Sequence, residues 1–292
     1  MINKKTFCNA FTVDVEDYFQ VSAFEKYIHR DDWERLPCRI EKNMECILAL
    51  LDQYKIKATF FTLGWIAERY PKLIQELVAC GHELASHGYS HIRVTQQNHN
   101  SFFDDVYRTK ALLEDIGGVE VRGYRAASYS IDRTCLWAHS ALCEAGYFYS
   151  SSIYPVHHDL YGIPDAPRFV YQPILDHPEF IEIPITTTDF FGYRIPAGGG
   201  GYFRFYPYWF SRWAIKRVNE YDKQSALFYF HPWELDPEQP KQTGLNLKTR
   251  FRHYLNLHRT ESRLRQLFVD FQWDRMDRIF LDNAVISGEH HE

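Results

Sequence analysis

The stretch Cys8-Asn9-Ala10-Phe11-Thr12-Val13-Asp14-Val15-Glu16-Asp17 alternates apolar Phe11, Val13 and Val15 with polar Thr12, Asp14 and Glu16. Side chains of a β-strand point to opposite faces in turn, so a period of two predicts a strand over 7–17 with carboxylates on one face. Working outward, the period changes. Ile40, Met44, Ile47, Leu48 and Leu51 recur at helical spacing and predict an amphipathic helix over 41–54. A Thr- and Phe-rich run at 57–63 reads as a buried strand, 66–79 as a helix stopped by Gly81, and 82–86 as a short strand. The alternation goes on: helix at 101–116, extended chain at 121–126, helix at 133–145, strand at 180–185, helix at 208–221, strand at 226–230. Such an order predicts an α/β fold, with parallel strands covered by helices. A (β/α) barrel of about 250 residues would use most of the chain. Polar residues gather where the strands end, at Asp14–Asp17, His87, Arg125 and His231, which is the end of such a barrel that carries chemistry.

Two stretches break this rhythm. Residues 154–177 contain Pro155, Pro164, Pro167 and Pro173 and predict a long ordered loop, so that about 154–180 covers the barrel mouth. Gly198-Gly199-Gly200-Gly201 has two equal readings, a flexible hairpin tip or a loop that lets backbone approach a ligand. Past Pro240 the chain turns basic, with leucines at helical spacing. We therefore divide it into a barrel over 1–240 and a C-terminal helical extension over 241–292, packed on the barrel.

Composition excludes several classes. Lys and Arg number 33 against 38 Asp and Glu, a net charge of −5 that suits no nucleic-acid partner. No run approaches the ~18 apolar residues of a membrane span. No apolar h-region follows Lys4 and Lys5, so a secretory leader is not expected and the reading is cytoplasmic. The six cysteines are scattered without a C-x-x-C pair and read as reduced core thiols. Aromatic residues reach 17 %, which a large aromatic core explains for the most part, with sugar-stacking surfaces as the second use.

Four elements carry chemistry. In Ser86-His87-Gly88-Tyr89-Ser90-His91, two imidazoles four residues apart have the donors and spacing for Zn²⁺ or a related ion, a weak signal alone. Asp14, Glu16 and Asp17 crowd three carboxylates at a strand end, where a cation or an arginine would offset their repulsion. Arg122-Gly123-Tyr124-Arg125-Ala126-Ala127-Ser128-Tyr129 offers an arginine able to orient a carboxylate. Leu227-Phe228-Tyr229-Phe230-His231-Pro232-Trp233-Glu234 ends a strand on a histidine.

In their order along the chain these elements resemble the NodB-homology polysaccharide deacetylases, carbohydrate esterase family 4. The resemblance is to the exopolysaccharide- and exosortase-associated branch with an extra C-terminal region, similar to peptidoglycan and allantoinase-like deacetylases. It rests on Thr12-Val13-Asp14-Val15-Glu16-Asp17-Tyr18-Phe19, the His87–His91 segment, Gly123-Tyr124-Arg125-Ala126, Ser151-Ser152-Ile153-Tyr154-Pro155, Gly199-Gly200-Gly201-Tyr202-Phe203-Arg204 and His231-Pro232-Trp233-Glu234-Leu235-Asp236-Pro237. The resemblance implies a distorted (β/α) barrel, one divalent metal ion (Zn²⁺ first, Co²⁺ or Ni²⁺ next) and hydrolysis of N-acetyl groups on the amino sugars of a polysaccharide or oligosaccharide. It also implies roles: Asp14 as general base, Arg125 as the residue orienting it, His231 as general acid, His87 and His91 as metal ligands, and Ser128, Tyr129 and Trp233 as substrate contacts. For the third ligand, Glu16 shares the strand face of Asp14, whereas Asp17 has the shorter side chain typical of the family; both stay open, with the lean toward Asp17. Two positions depart from the pattern, Ala127 where relatives have proline and Ser150 where they often have aspartate, and neither removes a core catalytic group. Two further readings compete: an allantoinase-like hydrolase of a small cyclic amide, and a glycan-binding protein with little catalysis. A serine or cysteine hydrolase fits poorly, since no G-x-S-x-G elbow is present.

Overall fold

The computed structural model describes residues 7–159 and 161–282; the expected absence of a leader at 1–6 and the end of the extension at 283–292 lie outside the described residues. In chain order the strands are β1 (Cys8–Val15), β2 (Thr59–Thr62), β3 (Glu83–Ser86), β4 (Gly123–Tyr124), β5 (Tyr149–Ser150), β6 (Ile181–Glu182), β7 (Thr187–Phe190), β8 (Tyr193–Pro196), β9 (Leu227–Phe230) and β10 (Gln272–Asp274). The helices are α1 (Ile40–Tyr54), α2 (Gly64–Arg69), α3 (Pro71–Ala79), α4 (His99–Gly117), α5 (Ala138–Glu144), α6 (Gly200–Phe205), α7 (Tyr208–Arg217), α8 (Leu247–Tyr254) and α9 (Thr260–Asp270).

Strands β9-β1-β2-β3-β4-β5-β6 pair in that order, every pair parallel, and form a half-barrel with helices around it. The alternation in β1 sorts its two faces. Phe11, Val13 and Val15 join the large cluster under the helices, where Phe11 stacks on Phe228 at 5.6 Å. Ala10 belongs to the inner cluster with Phe61, Ala85, Tyr149 and Tyr229. Thr12, Asp14 and Glu16 continue that inner row, and all three are buried. Burying each large side chain of these clusters contributes roughly 1.5–3 kcal/mol, offset by the entropy of ordering it. The open side of the half-barrel is closed by irregular backbone: Tyr229 N–H donates to the Gly198 carbonyl (2.7 Å) and Leu227 N–H to Thr186 Oγ1 (2.6 Å).

Four differences from the sequence reading have physical causes. The helix expected over 66–79 is two, because Pro71 lacks an N–H and its predecessor Tyr70 sits outside the helical region (φ −125°, ψ 55°). The helix expected over 133–145 begins only at Ala138, since Asp132 folds the preceding chain into a turn by accepting from Thr134 N–H and Oγ1. The glycine run is not a hairpin tip. Gly199, at φ 121°, lies against β9 so closely that a Cβ would stand 2.0 Å from the Tyr229 carbonyl oxygen, and α6 starts at the next residue. The extension is not wholly helical, for β10 returns to the sheet and pairs in parallel with β1, Cys8 opposite Gln272. Three residues are too few to show a period, so only tertiary pairing reveals that strand.

Candidate active site

Strand ends deliver the polar groups to one place. Asp14 is the inward residue next to the end of β1, and Glu16 follows it on the same side. His87 follows β3 directly. Gly88 (φ 73°) and His91 (φ 52°) then turn the chain back, which brings the two imidazoles to 5.2 Å between centroids. Arg125 follows β4, and its N–H donates to the Ser86 carbonyl (2.9 Å), extending the β3–β4 ladder by one step. His231 follows β9.

Arg125 is completely buried and places its guanidinium by several contacts. Its Nη1 donates to Asp14 Oδ1 (2.5 Å) and to Thr12 Oγ1 (2.8 Å), Nη2 to Ser151 Oγ (3.1 Å) and Nε to the Ser151 carbonyl (3.2 Å). The guanidinium carbon also lies 3.9 Å from the centre of the Phe61 ring. Tyr129 Oη donates to the other Asp14 oxygen at 3.4 Å. The base candidate is thereby held from two sides, and its charge is balanced by the arginine.

Glu16, His87 and His91 offer ligand atoms that all lie within 4.8 Å of one another, and all three residues are buried. His91 Nε2 is 3.0 Å from Glu16 Oε2. Burial pushes the Glu16 carboxyl up, but His91, His231 and His87 outweigh it and hold the group down at about 2. Burial drives the His87 imidazole down to about 4, so it is neutral at neutral pH. Its Nδ1 lies 2.8 Å from the Arg125 carbonyl, which fixes that nitrogen as the donor and leaves the Nε2 lone pair for a ligand. Asp17 sits elsewhere. Its carboxylate accepts from Tyr18 N–H (2.7 Å), Arg39 N–H and Cys38 Sγ (3.0 Å), tying β1 to the chain that leads into α1. The structure thus brings Glu16 to the imidazoles and turns Asp17 away, against the lean of the sequence reading. Residues 14 and 16 share a side of an extended chain, and residue 17 does not.

His231 Nε2 points toward Glu16 Oε1 (3.5 Å) and Asp14 Oδ2 (3.9 Å), while Nδ1 lies 2.8 Å from Glu234 Oε1. Burial pulls this imidazole down, but Glu234, Glu16 and Asp14 together raise it to about 9. Trp233 is buried, stacked on His231 (5.2 Å) and on His253 (4.2 Å), with its Nε1 3.4 Å from Glu16 Oε1. It packs as a wall beside the His231 ring. Ser128 and Tyr129 both have left-handed backbone (φ 53° and 52°). Tyr129 N–H is spent on the Ala126 carbonyl (3.0 Å), and Ser128 Oγ on Ser22 Oγ (2.7 Å). Ala127 and Ser150 are both buried, with Ser150 Oγ donating to Ser152 Oγ (2.8 Å). The sequence reading quoted Thr12, Ser151, Glu234 and Arg204 within its motifs but gave them no role. Thr12 and Glu234 left a signal, since each sits at the spacing of its partner: two residues before Asp14 on one strand face, three after His231.

The fold is shared with solved structures. A Mycobacterium smegmatis protein assigned to the polysaccharide deacetylases superposes with a TM-score of 0.61 at 16 % identity, over 99 % of this chain and 93 % of that one. Residues 29–146 match the polysaccharide deacetylase family model, and 151–281 match a domain of unknown function, DUF3473. Residues 29–146, less than half of the chain, are thus similar to the polysaccharide deacetylase family. A peptidoglycan-N-acetylglucosamine deacetylase of Bacillus cereus is 33 % identical over 72 residues, 25 % of this chain and 26 % of that protein. A peptidoglycan deacetylase of Helicobacter pylori is 26 % identical over 113 residues, 39 % of this chain and 37 % of that protein. The matched part thus spans about a quarter to two fifths of these relatives. The clustered groups come from three stretches: Asp14 and Glu16 precede the deacetylase match, His87, His91 and Arg125 lie in it, and His231 lies in the second domain. Among the described residues no helix is long and apolar enough to cross a membrane.

Proposed function

We propose that the chain is a metal-dependent hydrolase that removes N-acetyl groups from amino sugars of a polysaccharide or its precursor. The observation that carries this reading is the meeting, in one buried cluster, of Glu16, His87 and His91 with the Asp14–Arg125 pair and His231. A cation fits the first three. Glu16 Oε2 is buried without a hydrogen-bond partner, and two imidazoles with a carboxylate are donors that suit Zn²⁺ or a similar divalent ion. When bound there, the ion supplies Lewis acidity that polarises an acyl oxygen and acidifies a water.

The side chains do the rest. Asp14, oriented by Arg125 and Tyr129, takes the proton of the attacking water. Ser128 offers a backbone N–H to the developing oxyanion, whereas Tyr129 donates its own to the Ala126 carbonyl. His231, raised to about 9, carries a proton at neutral pH and gives it to the leaving amine. Arg125 does not titrate in the working range; it aligns the base. The products are acetate and a free amino sugar. Similarity to relatives named as peptidoglycan deacetylases supports an N-acetylglucosamine-type substrate. The test is acetate release from N-acetylated oligosaccharides, before and after chelation and with Zn²⁺, Co²⁺ or Ni²⁺ restored. Release that chelation abolishes and an added metal restores is expected. Saccharide binding with no acetate under any metal would overturn the reading.

A further inference from the structure

Three features remain without a use: the glycine-led Tyr202-Phe203-Arg204 segment, Glu234, and the chain beyond Pro240. They meet behind His231. Glu234 Oε1 takes both the His231 backbone N–H (3.0 Å) and its ring Nδ1 (2.8 Å). The other oxygen of the same carboxylate accepts from Arg204 Nε at 2.5 Å. Arg204 is then fastened by main-chain carbonyls of the extension: Nη1 donates to those of His253 and Leu255 (2.8 Å each) and Nη2 to that of Arg252 (3.1 Å). Glu234 and Arg204 are 1 % and 2 % exposed. The Arg204 backbone is fixed too, its carbonyl accepting from Asn256 Nδ2 (2.9 Å) and Arg263 Nη1 (3.0 Å).

Stability alone does not account for this arrangement. A buried ion pair barely repays its desolvation, and a packed apolar pair does as well. What the ion pair does supply is direction. A carboxylate bonded to one ring nitrogen makes that nitrogen the proton carrier and sets the ring plane, which aims the other nitrogen. Here the aimed atom is His231 Nε2, the one facing Asp14 and Glu16. Resting on the reading of His231 as proton donor, the geometry points to Glu234 and Arg204 as positioning residues for it, with the carbonyls at 252–255 as their anchor. The extension and the glycine run thus belong to the acid half of the active site. Gly199 packs against β9 and α6 starts at the next residue, four before Arg204.

Leaving-group dependence separates positioning from general damage. An amide nitrogen must be protonated to leave, whereas 4-nitrophenolate leaves without help. The holoenzyme and its Glu234→Gln, Arg204→Lys and His231→Ala variants are assayed on tetra-N-acetylchitotetraose and on 4-nitrophenyl acetate. Glu234→Gln is expected to lower kcat on the amide by about 10²-fold, the lower range for one acid–base group, with KM within about twofold. Its loss on the ester is expected to be at least about tenfold smaller. Arg204→Lys keeps the charge but not the fork, so it shows the same selectivity to a lesser degree, and it carries the test should Glu234→Gln not fold. Equal losses on amide and ester, or amide turnover within twofold of the parent in both variants, would overturn the proposal. His231→Ala judges the underlying reading separately: if that variant shows no amide selectivity, the acid role itself fails.

Discussion

Replacing Glu16 and Asp17 one at a time, as Glu16→Gln and Asp17→Asn, decides which carboxylate completes the cation cluster. Glu16 is the anionic member of the three, with Oε2 3.0 Å from His91 Nε2 and no hydrogen-bond donor of its own. An amide of the same shape offers no charge and puts an NH₂ or a weak oxygen where the carboxylate oxygen stood. Perturbing the groups around a ligand costs about 10–100-fold in metal affinity, and removing a ligand's charge costs at least the upper end, about 10²-fold. Asp17→Asn loses something else. Asparagine keeps one oxygen for the Tyr18 N–H but turns an NH₂ toward the Arg39 N–H and Cys38 Sγ that the second oxygen serves. A buried donor left unpaired costs about 1–3 kcal/mol, so unfolding stability falls by about 2 kcal/mol. Burial already lifts the Asp17 carboxyl above its ordinary range, so losing the charge adds little to that figure. Metal content by elemental analysis, Zn²⁺ titration calorimetry and urea unfolding of both variants read the two effects. The expected pattern is metal lost in Glu16→Gln, and stability lost with one metal kept in Asp17→Asn. The reverse pattern would refute the reasoning and return the ligand role to Asp17.

Asp14→Asn keeps the shape that Arg125 and Tyr129 hold but has no base, so kcat for acetate release should fall by about 10²–10⁴-fold; turnover near the parent's would remove Asp14 from its role. His82 is buried, and its Nδ1 accepts from the Ala58 N–H at 3.1 Å, which only the neutral ring can do. Burial, then Lys57 and Arg275, lower it from 6.5 to about 4. A base lowered on folding contributes stability present above pH 6.5 and lost as pH falls through 4, here about 3 kcal/mol at most. Denaturant midpoints measured between pH 7 and pH 4 should drop, and His82→Asn should flatten the drop; equal slopes in parent and variant would exclude His82 as its source. Gly199→Ala would press a Cβ to 2.0 Å from the Tyr229 oxygen, whereas Gly192→Ala, at φ 82° with nothing within 4 Å, meets only backbone strain. Gly192→Ala should therefore cost about 1–2 kcal/mol and Gly199→Ala clearly more, read as melting temperatures of the two variants side by side.

Much of the fold could be read in the sequence because its period is local. The alternation at 10–16 separates an outward apolar row from an inward polar one without help from any other segment, and α1 announces itself by its apolar stripe. Strands β4, β5 and β6 are two residues long, and their pairing is set by neighbours rather than by their own pattern. The candidate site was legible to a similar extent. Asp14, Arg125, His87 and His231 stand at or next to strand ends, and His91 four residues past His87, so a chain of alternating elements brings most of them to one rim.

The amino-acid sequence by itself determined which groups are available: carboxylates at 14, 16 and 17, imidazoles at 87, 91 and 231, one arginine at 125. Tertiary structure decided what each of them faces. Asp17 and Glu16 are neighbours along the chain, yet a backbone that turns after β1 sends one to the amides before α1 and the other to the imidazoles. Arg204 lies 30 residues from Glu234 and about 50 from the carbonyls that hold it, and no local pattern encodes such a meeting. Periodicity follows from the geometry of a single strand or helix; which charges pair depends on how the elements close on one another, because electrostatic and hydrogen-bond contacts act over a few ångströms of space and not over positions in the chain.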